Sequence, residues 1–114
     1  MAHYSIELFK SSINEHRVLN ETLRLQILEN TICVLNKYFL HKPVTSLYIT
    51  GSLIQANRFK QRSDIDIAVE GLQSNMYFSC ISDLEGLLNR HVEIIELENC
   101  RFANKIKETG LKII

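Results

Sequence analysis

The stretch Thr50-Gly51-Ser52-Leu53-Ile54-Gln55-Ala56-Asn57-Arg58-Phe59-Lys60-Gln61-Arg62-Ser63-Asp64-Ile65-Asp66-Ile67-Ala68-Val69 decides how this chain is read. Val44 to Thr50 is an apolar run that predicts a strand, closed by the Gly51-Ser52 turn. Ser63 to Val69 predicts the next strand, whose side chains alternate between faces. Asp64 and Asp66 are then on one face, with Ile65, Ile67 and Val69 on the other. Two acids side by side on a rigid strand make a poor core and a good seat for a hard cation. The glycine-containing turn lets backbone N–H groups approach a phosphate closely. Phosphoryl chemistry needs that pairing of metal-binding acids with a backbone cradle.

Working outward, Leu28, Ile32, Leu35 and Phe39 step by four, three and four, one apolar stripe of a helix. Ile6, Phe9 and Ile13 make a shorter stripe, so the whole segment before Pro43 predicts helix, either one long helix or two with a break near Ser11-Ser12 or Asn20. Lys42-Pro43 ends it, because the residue before proline is pushed out of the α region. After the Asp-x-Asp strand, Gly71 marks a turn and Ser74 is placed to cap a helix. Tyr77, Ile81, Leu84 and Leu88 form that helix's buried face. Val92 to Leu97 returns to strand, Phe102 and Ile106 suggest a short helix ending at Gly110, and the last four residues predict a strand. This order fits an α+β fold, a small mixed β-sheet packed with helices behind a helical N-terminal extension.

The 114 residues predict a single domain, 1–114, with a helical region over 1–42 and a catalytic core over 43–114. Thirteen basic and thirteen acidic residues cancel, which argues against a general nucleic-acid surface. No apolar run is long enough to cross a membrane and no signal-peptide core is present, so the expectation is a cytoplasmic protein with no membrane partner. Cys33, Cys80 and Cys100 have no close-spaced pair, and the four histidines have no metal-ligand spacing.

The Gly-Ser turn followed by Asp-x-Asp resembles the signature of the DNA polymerase β-type nucleotidyltransferase superfamily. Within it, the chain from about Val44 onward is similar to the minimal nucleotidyltransferases, small antitoxins paired with helical HEPN toxins. Arg90-His91-Val92-Glu93-Ile94-Ile95-Glu96-Leu97 resembles the strand that carries the family's third acid, and Gly110 to Ile114 its closing strand. Two positions depart from the pattern. The third acid is Glu93 where the family usually has Asp, and Gln55-Ala56-Asn57 stands where it often carries a second glycine.

The resemblance implies a nucleotidyltransferase fold, ATP as substrate and two Mg²⁺ ions held by Asp64, Asp66 and Glu93. It implies transfer of AMP to a tyrosine hydroxyl of a HEPN toxin bound in a hetero-oligomer. Glu96, three residues on and on the opposite strand face, is the rival third acid. Gly51 and Ser52 would meet the nucleotide's phosphates, with Ser63 beside them. Arg58 and Lys60, together with Arg62, would steer the triphosphate, although a solvated loop explains them equally. His91 reads as structural. Two other functions stay open: an antitoxin that acts by complex formation alone, and a catalytic subunit that modifies a small molecule or an RNA end.

Overall fold

Lys42-Pro43 divides the chain into a helical front and a sheet-forming remainder. The computed structural model describes residues 6–114. Residues 1–5, His3 among them, and the side chain of Phe9 lie outside what it describes. Helix α1 runs unbroken from Ile6 to Tyr38 and closes in a 3-10 turn, Phe39–His41. The 33 residues of α1 span about 50 Å. Neither Ser11-Ser12 nor Asn20 interrupts it. Thr22 donates its hydroxyl to the Val18 carbonyl at 2.9 Å, and Glu21 pairs with Arg24 one turn later.

Strands β1 (Ser46–Thr50), β2 (Ile65–Glu70), β3 (Val92–Glu96) and β4 (Leu111–Lys112) form one sheet in the order β3-β2-β1-β4. β1 is antiparallel to β2 and to β4, while β2 and β3 are parallel. The parallel pair needs a crossover, supplied by α2 (Tyr77–Leu88). The predicted Ser74 cap is not formed. Residues Ser74–Met76 wind as a 3-10 turn and Met76 takes the N-cap position without a side-chain bond. A short α3 (Ala103–Thr109) precedes β4.

Strand alternation sorts the core. Leu47, Ile49, Ile65, Ile67, Val69, Val92 and Ile94 share one buried cluster with Leu35 and Phe39 from the α1 end and Cys80 and Leu84 of α2. The opposite sheet face carries Tyr48 and Ala68, which pack with Leu97, Ile95 and the α3 residues Ala103 and Ile106. Lys107 of α3 is fixed to Glu70 at 3.1 Å. α3 therefore covers the half of this face near Glu70 and leaves the half near Asp66 open.

The stripe over Leu28, Ile32, Leu35 and Phe39 packs as expected. Its N-terminal continuation does not: Ile6 is 68% exposed and Ile13 42%. The front half of α1 projects past the sheet, giving extents of 62 × 28 × 20 Å and a radius of gyration of 17.3 Å, against about 13 Å for a compact chain of this size. Among the described residues, no helix is long and apolar enough to cross a membrane.

Thr31 lies in α1, fully buried, and its hydroxyl has no partner among the described residues. An unpaired buried hydroxyl costs stability, while a methyl of the same shape does not. Thr31→Val should therefore stabilise the fold by about 1 kcal/mol. Chemical denaturation checks this, since an unchanged or lower midpoint would mean the hydroxyl is satisfied in solution.

Candidate nucleotidyl-transfer site

Three side chains of the open half-face come into register across three strands. Thr50 of β1 pairs with Asp66 of β2, and Asp66 pairs with Glu93 of β3. The parallel register separates the two glutamates: Glu93 pairs with Asp66 on the open face, whereas Glu96 pairs with Val69 on the other. Thr50 belongs to this row and was missed from sequence, because only the register between strands reveals it.

Gly51 follows Thr50 with φ +75°. A Cβ built there would sit 2.2 Å from the Asp66 Oδ2 atom. Only glycine satisfies both conditions, the left-handed backbone and the carboxylate lying against it. Gly51–Ile54 then wind as a 3-10 turn, closed by the Gln55 N–H donating to the Ser52 carbonyl at 3.1 Å. Ser52 is part-exposed at the mouth of this turn, and its hydroxyl has no partner among the described residues.

Asp66 is half-buried, and that burial, with Glu93 and Asp64 nearby, pushes its carboxyl up to about 6. Desolvation is the larger cause and the neighbouring carboxylates the second. Asp64 lies just before β2 and is exposed. Its Oδ1 atom is 3.6 Å from His91 Nδ1, while His91 Nε2 is 3.8 Å from Glu85 Oε2. His91 is thus placed between two acids at the site's edge.

Among the described residues, no three His, Cys, Asp or Glu side chains are gathered as a ready metal shell. The donor set nevertheless suits a hard divalent cation. Asp66 and Glu93 are adjacent carboxylates whose repulsion a cation would relieve, and Asp64 is a third within electrostatic reach.

The loop between Gly51 and Asp64 is pinned from below. Arg24 Nη1 donates to the Leu53 carbonyl at 3.1 Å, and the Asn57 N–H donates to Glu21 Oε1 at 2.6 Å. Arg24 holds the Glu21 carboxyl below the usual range, helped by the Asn57 N–H. Phe59 is buried in the core. Arg58 and Arg62 are exposed. Lys60 lines a cavity of about 570 Å³ between the loop and α1, with Ile13, His16, Arg17, Asn20 and Asn57, and none of the three acids borders it. Ser63 accepts the Lys60 N–H on its hydroxyl at 2.9 Å, so that oxygen already closes the loop.

The model of the "Polymerase beta, Nucleotidyltransferase" family matches residues 29–114, which includes every strand of the sheet and every acid of the row. No curated protein sequence matches the chain. Among solved structures, a mutant of the MntA–HpeT toxin–antitoxin aligns with a TM-score of 0.61 at 18% identity, covering 73% of this chain and 71% of that one. A toxin–antitoxin with AMP-PNP aligns with a TM-score of 0.59 at 24% identity, covering 75% and 72%. The MntA–HepT toxin–antitoxin gives 0.56 at 18% identity, covering 74% and 69%. These likenesses show the same fold. With the family model spanning most of the chain and the Thr50–Asp66–Glu93 row inside it, this chain belongs to the polymerase beta nucleotidyltransferase family.

Proposed function

We propose that the protein is a Mg²⁺-dependent nucleotidyltransferase that moves AMP from ATP onto a tyrosine hydroxyl of a partner toxin of the HEPN type, and so serves as an antitoxin. The observation that carries this reading is the row Thr50–Asp66–Glu93 with Gly51 lying against Asp66, which places two carboxylates beside a glycine turn on an open sheet face. The solved toxin–antitoxin structures of the same fold, one of them with AMP-PNP, support the choice of nucleotide and partner.

Asp64, Asp66 and Glu93 would hold the metal, which when bound neutralises phosphate oxygens and lowers the acceptor hydroxyl's pKa. The chain's own residues do the rest. Ser52 offers its N–H and hydroxyl to the terminal phosphates at a turn that Gly51 keeps free of a side chain. Glu93, exposed at the rim, accepts the proton as the acceptor oxygen bonds to the α-phosphorus and the bond to pyrophosphate breaks.

In this reading the partner presents the acceptor to the acid row, on the half of the sheet face that α3 leaves open. The projecting half of α1 is the candidate docking surface. Val18 and Leu19 are 63% and 66% exposed there, on a helix longer than its own sheet needs. The rival reading, neutralisation by complex formation alone, rests on Glu93 standing where the family usually has Asp.

Label transfer separates the two. Purified protein with Mg²⁺ and α-labelled ATP should label one co-expressed partner, and Asp64→Asn/Asp66→Asn should reduce that label at least 10³-fold. γ-Labelled ATP should leave the partner unlabelled. A stable complex that takes no α-label would establish the binding-only function instead.

A further inference from the structure

We propose that Arg90 is a positioning residue, whose guanidinium gathers the end of the long loop and thereby presents Asp64 to the site. This inference rests on the nucleotidyl-transfer reading above. Arg90 Nε donates to the Ser63 carbonyl at 2.9 Å, and Nη2 donates to the Lys60 carbonyl at 3.0 Å and to the Gln61 carbonyl. Its guanidinium lies 4.7 Å from the centre of the Phe59 ring, which is buried in the core.

One side chain thus ties three of the four carbonyls immediately ahead of Asp64 to the floor of the protein. The anchor itself is fixed. Asn89 ends α2 in the left-handed conformation with φ 50°, and the Ile65 N–H donates to the His91 carbonyl at 3.0 Å. Arg90 therefore belongs to the frame that also sets the Asp66–Glu93 register. Its target does not: Lys60, Gln61, Arg62 and Asp64 are all exposed and contribute no apolar burial of their own.

A lysine cannot reproduce this arrangement. Its ammonium is a compact point charge without the planar fork that reaches separate carbonyls while lying over a ring. The sequence held no signal for the role, because the three bonds run to backbone atoms some thirty residues upstream.

The test compares the parent protein, Arg90→Gln, Arg90→Lys and the core control Phe39→Leu by calorimetric titration of AMP-PNP over a range of Mg²⁺ concentrations. Amide exchange at Ser63 and Ile65, whose N–H groups donate to the Lys60 and His91 carbonyls, is followed in the metal-free protein. Arg90→Gln should raise the Mg²⁺ half-saturation at least tenfold, leave metal-free AMP-PNP affinity within twofold, and speed exchange at Ser63, whose N–H donates to the Lys60 carbonyl. Arg90→Lys should raise the half-saturation about threefold over the parent, and it decides the matter if the Gln variant does not fold. Phe39→Leu, destabilised in the core at the end of α1 without losing a bond to the loop carbonyls, should leave the half-saturation unchanged. A folded Arg90 variant with the parent's half-saturation would overturn the role. Parent protein whose AMP-PNP binding ignores Mg²⁺ would overturn the underlying metal–nucleotide reading, and this role with it.

Discussion

Asp66→Asn is expected to melt above the parent protein in metal-free buffer at pH 7, by about 4–8 °C for a gain of about 1–2 kcal/mol. The carboxyl titrates near 6 in the folded protein against 3.8 ordinarily. A shift of that size corresponds to about 3 kcal/mol, and solvent access to the open half-face reduces it. The sign follows from proton counts. Between pH 4 and 6 the folded state holds a proton that the unfolded state has released, so stability falls as pH rises through that window. Above it the cost of the bare carboxylate is constant. The parent's melting temperature should decline across this window relative to the Asn variant, which has no such group.

Ligand reverses the ranking. Saturating Mg²⁺-ATP at a hundred times its Kd should stabilise the parent by about 2.7 kcal/mol and leave Asp66→Asn nearly unmoved. Scanning calorimetry with and without Mg²⁺-ATP reads both effects. An Asn variant that melts at or below the parent in metal-free buffer would remove the acid repulsion from the account. A melting temperature indifferent to Mg²⁺-ATP in the parent would count against a working site.

Gly51→Ala is the second large effect expected. The left-handed backbone at φ +75° costs an alanine about 1–2 kcal/mol. The new methyl also meets Asp66 Oδ2 at 2.2 Å, so the carboxylate has to retreat by about 1 Å to restore ordinary contact. Displacement on that scale costs roughly a hundredfold in rate. Gly71→Ala supplies the comparison. It shares the strain, with φ +87° and a Cβ 2.5 Å from the Thr45 hydroxyl, but lies at the opposite end of β2 from Asp66. Both variants should lose stability, and only Gly51→Ala should lose AMP transfer and nucleotide affinity. Equal losses of transfer in the two would mean that stability, not the seat of Asp66, limits the reaction.

Much of this fold was legible because its strands alternate cleanly. Ile65, Ile67 and Val69 belong to one face, and the pairing of Thr50, the residue before Gly51-Ser52, with Asp66 follows from a local antiparallel ladder. Periodicity located α2 through Leu84 and Ile81, but not its start. Whether Ser74 caps the helix or opens a 3-10 turn depends on one turn of backbone that propensity does not resolve. Which glutamate lies beside Asp66 needed the parallel register, which alternation alone leaves undetermined. Ile6 and Ile13 mark a helix face correctly, yet a pattern of apolar residues does not say whether the same chain covers them. Arg90 was hidden for a different reason, since its partners are carbonyls, and every residue has one.

The parallel pairing of β2 with β3 has a consequence for the order in which this protein comes into being. β1 and β2 are antiparallel neighbours in sequence, so Gly51 and Asp66 meet early and cheaply. Glu93 joins them only after the whole α2 crossover has docked, a non-local closure of the kind that slows folding. The acid row is therefore among the last features to be completed. A nascent or partly unfolded chain has the Gly-Ser turn and Asp-x-Asp without Glu93 beside them, so on the function proposed above nucleotide chemistry would mark only those molecules that have finished folding.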